Sequence, residues 1–367
     1  MLNIGLVTIN KTVNYGAVLQ AYATQVVFSN YGNTVIINYE NPFLSEHIKL
    51  IRFEWSVRGV LMLVHDLLRL PFRCLALQRF YSFFHNKYNW SAKVNSATIG
   101  KLNYEYFICG SDQIWNPDIL NSSSEIDPVY FLDFVKNPSS VKASFSSSIG
   151  HYNYSAEECL IISKMLDDFK SISVRELDGV DKVRKILPSR EVEHTLDPTL
   201  LLDKKVWTDL VKNIKYQVPK KEYILIYTVP RSQLLKEAVE YFSKKLNYEV
   251  VLVDQMLLPL SNLIDKHIRS AGPLEFLKLF LGARFVITDS FHGTCFSLNF
   301  GIPFATINAG KKNNRIKSLF DLLDVDQRLV SSFEDLEKID TNSASDVSAK
   351  LKKVREHSFK YINKIFC

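Results

Sequence analysis

The strongest constraint on the fold is an alternation of short apolar runs with longer segments of helical spacing. Residues 2–9 form an apolar run, residues 17–32 read as a helix that ends at Gly32, and residues 34–39 form a second run. A short apolar run bounded by turns is typical of a buried parallel strand. A helix between two such strands makes a right-handed βαβ unit, so the pattern predicts a parallel α/β fold.

The alternation starts again in the second half, and 367 residues are enough for two domains. We place the junction near residues 196–202, because a residue that precedes proline disfavours helix. The predicted domains cover residues 1–200 and 201–345, and a helix over 346–367 is expected to cross back to the first domain. Such domains bind ligands at the carboxyl ends of their strands, in the cleft between them. The other predicted strands are 104–109, 142–148, 223–229, 249–254, 284–290 and 303–308, and residues 172–176 are predicted as a strand that leads into a turn. The other predicted helices are 155–170, 232–246, 273–283, 292–301 and 313–323.

Residues 55–87 interrupt this pattern. Their apolar residues recur at helical spacing, with an interruption expected at Pro71, and five Lys or Arg residues accompany a single acid, Asp66. Two interpretations are open: a basic amphipathic segment that lies on a membrane surface, or a helical excursion packed on the first domain.

Charge and composition narrow the function classes. The net charge of +6 favours anionic partners, but no nucleic-acid-binding module or concentrated basic stripe accompanies it. The five cysteines form no CxxC pair, which disfavours disulfides and a zinc site and favours a reducing cytoplasm. We find no signal peptide, no apolar run of membrane-spanning length and no glycine pattern for dinucleotide or P-loop binding.

The segment ITDSFHGT (287–294) is the principal candidate site. An apolar strand ends there and a polar cluster opens a helix, whose first amides and dipole favour an anion. We expect Ser290 and Gly293 to contact the ligand, since Gly293 allows a close approach. His292 exchanges a proton readily near neutral pH. The alternative is a capped helix with His292 on its surface.

In the first half, GSDQIWN (110–116) occupies the matching position after a strand. Asp112 is a candidate general base or a group that orients sugar hydroxyls, and Trp115 is a candidate platform for a sugar ring. Ser111 and Gln113 complete the predicted contacts. The alternative is a capped turn with Trp115 in the core.

Three further segments supply candidate binding residues after strands. Arg175 suits a carboxylate or phosphate, although an ion pair with Glu176 or another acid is the plainer interpretation. A basic loop supplies Lys311, Lys312 and Arg315, with a solvated charged loop as its alternative. The turn after the first strand supplies Asn14, Tyr15 and Gly16.

Taken in order, NYGAVLQAYA (14–23), GSDQIWN, SVRE (173–176), LDPTLLL (196–202) and residues 273–304 resemble the polysaccharide pyruvyl transferase family. The resemblance implies a GT-B-like fold, in which two Rossmann-type doubly wound domains face a central cleft. It also implies transfer of a pyruvyl group from phosphoenolpyruvate to two hydroxyls of a sugar as a cyclic ketal. No metal and no cofactor is implied, since phosphoenolpyruvate is a donor substrate.

The resemblance also implies roles for residues. His292 matches a histidine at the phosphoenolpyruvate site, and Arg175 matches an arginine that contacts this donor. Asp112 is the less specific match. Some members carry an arginine where this chain has Ser290, so the basic loop after residue 310 is expected to supply the missing cation.

The resulting hypothesis makes His292 the general acid and Asp112 the base or orienting group. The expected partners are phosphoenolpyruvate and a saccharide acceptor carried on a polyprenyl diphosphate lipid. The expected location is the cytoplasm, with peripheral contact to the anionic inner face of the plasma membrane and no nucleic acid. The alternatives are a nucleotide-sugar glycosyltransferase of the same architecture and a non-catalytic glycan-binding protein.

Overall fold

In a computed structural model, the chain divides into two units and passes between them four times. The first unit consists of Met1–Ile48, Lys87–Leu202 and Ala349–Cys367, and the second of Lys49–Asn86 and Asp203–Ser348. The structure describes residues 1–46, 48–51, 55–308, 310, 313–344 and 347–367.

The first unit is built on a seven-stranded sheet whose order is β3-β2-β1-β4-β5-β6-β7, with every pairing parallel. This order reverses direction at β1 and β4, as in a doubly wound Rossmann sheet. Its strands are β1 (Leu2–Val7), β2 (Gly32–Tyr39), β3 (Trp90–Val94), β4 (Tyr106–Cys109), β5 (Val141–Ser144), β6 (Phe169–Val174) and β7 (Val192–His194).

The second unit carries a six-stranded parallel sheet in the order β10-β9-β8-β11-β12-β13, which reverses at β8 and β11. All residues of β8 and β11 are buried, because helices cover both faces of the sheet. Its strands are β8 (Tyr223–Tyr227), β9 (Glu249–Val253), β10 (Lys266–Ile268), β11 (Phe285–Thr288), β12 (Phe304–Ile307) and β13 (Leu329–Val330). The predicted class, α/β with two doubly wound sheets, is confirmed.

The helices follow the strands in the expected alternation. They are α1 (Tyr15–Phe28), α2 (Pro42–Glu46), α3 (Val57–Lys87), α4 (Pro117–Leu120), α5 (Ala156–Leu166), α6 (Leu177–Ile186), α7 (Pro198–Leu201), α8 (Lys204–Val211), α9 (Gln233–Leu246), α10 (Pro273–Gly282), α11 (Phe291–Phe300), α12 (Asn314–Leu323), α13 (Glu334–Lys338) and α14 (Ser348–Phe366). Within the described ranges, none is both long enough and apolar enough to cross a bilayer.

Helix α3 differs from the prediction in two respects. It continues through Pro71, because a proline removes one backbone hydrogen bond and the rest of a 31-residue helix retains its own. It also belongs to the second unit rather than to the first. The Arg79 guanidinium donates to the carbonyl oxygen of Ser270 over 2.9 Å and lies 5.5 Å from the ring centre of Tyr216. These contacts tie the helix to the second unit.

Helix α14 belongs to the first unit although it ends the chain. The Tyr361 hydroxyl donates to the carbonyl oxygen of Ser144, at the end of β5, over 2.6 Å. Phe366 stacks on Tyr31 with the ring centres 4.6 Å apart. Burial of these aromatic rings fixes the helix against the first sheet.

The first turn of α11 packs closely on the end of β11. A β-carbon added to Gly293 would lie 2.2 Å from the Thr288 hydroxyl oxygen. That hydroxyl donates to the carbonyl oxygen of Tyr227 and accepts from the Ser290 amide, so it has little room to move. Glycine is therefore required here by strand–helix packing, and the expected close approach of a ligand is not needed to explain it.

We expect Gly293→Ala to lower the free energy of unfolding by about 1–3 kcal/mol, because the new methyl group overpacks a buried hydrogen-bonded site. Calorimetric or denaturant unfolding measures the change. Gly100→Ala is the matched control, since its β-carbon would meet nothing closer than 3.8 Å. Equal stability of the two variants would contradict the packing explanation.

Candidate functional site

Ligands of doubly wound sheets bind where the strand order reverses, at the carboxyl edge. In the first unit that position lies after β1 and β4, and in the second it lies after β8 and β11. The residues that follow these four strands are therefore the candidates in each unit.

At the second sheet, Asp289 joins the loops that follow β8 and β11. Its carboxylate accepts from the Thr228 hydroxyl over 2.7 Å and from the Val229 amide over 2.8 Å. Burial raises the pKa of the Asp289 carboxyl, and these hydrogen bonds partly oppose the rise. Asp289 therefore joins two loops at the switch point of this sheet.

A second polar network lies at the same edge and was not predicted. Arg231 has a left-handed backbone (φ 53°), and its guanidinium forms an ion pair with Asp254, directly after β9. His267 of β10 lies 2.8 Å from the same carboxylate. Burial alone would raise the pKa of Asp254, but hydrogen bonds from His267 and Arg231 outweigh it and lower the pKa. The visible signal was an aspartate ending the apolar run of β9.

Helix α11 begins at this edge. The Ser290 side chain caps it by accepting from the Gly293 amide over 3.4 Å, so Ser290 is committed to the helix start. His292, the second residue of the helix, is only 6% exposed. Its ring centre lies 5.3 Å from that of Phe291, edge to face.

Arg315, at the start of α12, lies on the same aromatic ring. Its guanidinium carbon is 5.5 Å from the ring centre of Phe291. The structure therefore brings Arg315 and His292 to one side chain, as a shared donor site requires. Lys311 and Lys312 lie outside the described residues.

The carboxyl edge of the first sheet is polar and strained. Asp112 after β4 (φ 75°), Ser146 after β5 (φ 55°) and Gly150 (φ 63°) all have left-handed backbones. Non-glycine residues in this region cost free energy and concentrate at functional sites. Asp112 is 8% exposed, and Ser111 beside it donates to Asp197 over 3.1 Å.

Arg175 lies among the carboxylates of this edge. It forms ion pairs with Asp197 at 2.7 Å and with Asp112 at 3.4 Å, and its side chain is 1% exposed. Burial alone would lower the pKa of Arg175, but the two carboxylates outweigh it and raise the pKa. The ion-pair interpretation therefore describes this arginine, with Asp197 and Asp112 as the acids in place of Glu176.

Glu176 instead organises the turn after β5. Its carboxylate accepts from the Ser148 hydroxyl over 3.0 Å and from the amides of Ile149 and Gly150 over 2.7 and 2.8 Å. Neither Glu176 nor Asp197 was predicted as a site residue. The serine run at 146–148 was the available signal, but as part of a predicted strand it indicated no turn.

The remaining predicted residues have mainly structural positions. Trp115 is 1% exposed and stacks on Phe131 with ring centres 5.4 Å apart, so its ring offers no face to a sugar. The Asn14 side chain caps α1 by accepting from the Ala17 amide. Tyr15 and Gly16 are buried in that helix, and the Gln113 side chain accepts from Asn116.

No group of three or more His, Cys, Asp or Glu side chains suited to a metal ion occurs among the described residues. The two edges carry carboxylates, guanidinium groups, hydroxyls and imidazoles.

Comparison with solved structures finds similar chains of low identity. A UDP-GlcNAc 2-epimerase from Neisseria meningitidis, bound to UDP-GlcNAc, is 10% identical, with coverage of 99% of this chain and 100% of that chain and a TM-score of 0.49. The enzyme of the same name from Methanocaldococcus jannaschii is 10% identical over 98% and 100%, with a TM-score of 0.49. A glycotransferase of kitacinnamycin is 12% identical over 99% and 96%, with a TM-score of 0.46.

The comparison with curated proteins found no match at a significant level. The family model described as polysaccharide pyruvyl transferase matches residues 14–310, most of the chain and parts of both units. The match includes the residues after β4 and after β11 that form the two polar edges. The chain therefore belongs to the polysaccharide pyruvyl transferase family.

Proposed function

We propose that this protein transfers the pyruvyl group of phosphoenolpyruvate to two hydroxyls of a saccharide, forming a cyclic ketal and releasing phosphate. Family membership makes the chain a pyruvyl transferase of polysaccharide synthesis. The observation that carries the finer proposal is the family match over residues 14–310, which includes His292 and Asp112.

The reaction needs an acid, an anion-binding group and a base. Protonation of the methylene carbon of phosphoenolpyruvate makes the adjacent carbon electrophilic. One sugar hydroxyl attacks this carbon and loses its proton, phosphate leaves, and the second hydroxyl closes the ring. Each proton transfer requires a side chain positioned at the reacting atom.

We assign the donor to the edge of the second sheet. His292 is the general acid, and the first amides of α11 favour the donor's negative charge. Arg315 binds the carboxylate or phosphate, with Lys311 and Lys312 as further cations of the same loop. The position of Arg315 and His292 on Phe291 supports this assignment.

We assign the acceptor to the edge of the first sheet, where Asp112 orients or deprotonates a hydroxyl. Ser111 and Gln113 are its neighbours in the chain. Arg175 is a positioning residue in this proposal, because its guanidinium is buried between Asp112 and Asp197. The ion pair holds the Asp112 side chain in place beside its left-handed backbone.

The acceptor in this proposal is a saccharide on a polyprenyl diphosphate lipid, and the protein acts at the inner face of the membrane. The test is phosphate release from phosphoenolpyruvate across a panel of free and lipid-linked saccharides, with mass spectrometry of the acceptor. Phosphate release together with a ketal product supports the proposal. Absence of both with every acceptor, or transfer from a nucleotide sugar, contradicts it.

We expect His292→Gln to lower kcat by roughly 10²–10⁴-fold, because a positioned acid contributes that much to rate. The limb of the pH–rate profile that reports the acid disappears, while the KM for phosphoenolpyruvate changes little. His357→Gln, at an exposed position of α14, is the control. A His292→Gln enzyme with the parent pH profile would refute the assignment.

We expect Arg315→Gln to raise the KM for phosphoenolpyruvate by about 10–100-fold, since a hydrogen bond to a charged group contributes about 1.5–3 kcal/mol. The effect on kcat is smaller. Arg284→Gln is the matched control, because Arg284 pairs with Glu222 on the surface. Unchanged affinity of the Arg315 variant for phosphoenolpyruvate would contradict the assignment of Arg315 to the donor site.

We expect Asp112→Asn to lower kcat by roughly 10²-fold or more with little change in donor KM. Asparagine accepts a left-handed backbone as readily as aspartate does, so the substitution keeps the local backbone while it removes the charge that pairs with Arg175. The unfolding temperature of the variant is measured beside its kinetics, because loss of one partner of a buried ion pair destabilises the fold. Steady-state kinetics with a fixed acceptor checks the prediction. A rise in the KM for phosphoenolpyruvate with an unchanged kcat would indicate that Asp112 contacts the donor and not the acceptor.

A further inference from the structure

The first half of α3 exposes an unusual amount of apolar surface. Eleven of the 22 large hydrophobic side chains that are exposed in the described chain lie between residues 50 and 75. Trp55 is 96% exposed, Leu61 66% and Leu68 58%. Contiguous apolar patches of this kind mark interaction sites in proteins that are otherwise stable in water.

These side chains form one stripe along the helix. The exposed residues recur every three or four positions, at Val57, Leu61, Val64, Leu68, Phe72 and Leu75. That spacing places them on one side of an α-helix, over about 27 Å of its length. The second half of the helix faces the core, since Ala76, Leu77, Phe80, Phe83 and Phe84 are buried.

Three polar side chains of the helix, those of Asp66, Arg73 and Arg79, make contacts within the protein instead. Asp66 is fully buried. Arg73 is 8% exposed and donates to the carbonyl oxygen of Lys49 from Nε over 3.2 Å and from Nη2 over 2.6 Å. Arg79 forms an ion pair with Glu275 at 3.5 Å. These bonds set the rotation of the helix, so its outward side is apolar rather than basic.

Cations nevertheless border the stripe. The Arg269 guanidinium carbon lies 3.6 Å from the ring centre of Phe72, whose side chain is 38% exposed, and Arg69 lines the same small cavity. Asp66 is the single acid between residues 55 and 104. Since Asp66 is buried, no carboxylate of that segment reaches the outward side of the helix.

We propose that this face of α3 docks on an anionic lipid surface. Apolar side chains enter the boundary between headgroups and acyl chains, and Arg69 and Arg269 meet lipid phosphates. Trp55 precedes the helix, and tryptophan is enriched at such interfaces. A second copy fits less well, because a twofold interface would bring the like-charged arginines of the rim close to those of the other copy.

This inference deepens the proposed function and rests on it for the location of the acceptor. The docking surface itself is measured without any substrate. The probe is flotation of the full chain with vesicles of phosphatidylcholine and phosphatidylglycerol in equal parts, compared with phosphatidylcholine alone. We expect flotation with the mixed vesicles and weaker flotation with the neutral ones.

The double variant Leu61→Glu, Leu68→Glu should bind the mixed vesicles roughly tenfold or more weakly, since two apolar side chains of the face become carboxylates. Leu160→Glu, Ile161→Glu on α5 is the matched control, because these side chains are also exposed, at 66% and 45%. The control should float like the parent, and both variants should unfold at the parent's temperature.

The proposal would be overturned by an equal loss of vesicle binding in both double variants, or by a parent protein that binds neither kind of vesicle. So would a parent dimer that Leu61→Glu, Leu68→Glu converts to a monomer, which would assign the face to a second copy. Pyruvyl transfer to a water-soluble saccharide is measured separately. Flotation without transfer would leave docking intact and remove the proposed function, and transfer without flotation would do the reverse.

Discussion

The hydrogen bonds that Asp289 accepts at the reversal of the second sheet hold the candidate donor site together. Strands β8 and β11 lie side by side, but their connections leave in opposite directions, so nothing in the sheet itself joins their following loops. Asp289 supplies that connection through Thr228 and Val229. Because the same residue directly precedes the cap of α11, the position of His292 depends on this carboxylate as much as on the helix.

In the first sheet, ion pairs connect the segments that follow different strands. Arg175, at the end of β6, pairs with Asp112 after β4 and with Asp197 after β7. Burying an arginine between two carboxylates costs desolvation free energy, and removal of one partner then strongly destabilises the protein. Such a network suits an edge that must hold Asp112 in a left-handed conformation, and it explains why Arg175 has no exposed surface for a ligand.

The sequence predicted most central elements to within a few residues, because β8, β11 and α11 are continuous apolar or periodic segments. Edge strands such as β10 and β13 were missed, since two or three residues carry no measurable period. His292 and Asp112 were chosen as candidates because each follows an apolar run. The hydrogen bond between Thr228 and Asp289 was not predicted, because these residues are 61 positions apart and meet only through the sheet order.

The orientation of α3 about its own axis likewise could not be predicted from the sequence. Its periodicity predicts that one side is apolar, but the period is unchanged when the helix rotates about its axis. Buried contacts of Arg73 and Arg79 select the rotation that faces leucines outward. In water, every CH₂ group that this rotation leaves exposed contributes about 0.8 kcal/mol less hydrophobic stabilisation than a buried one. A folded protein recovers that free energy when an apolar environment covers the face, and in our proposal that environment is the boundary of a bilayer.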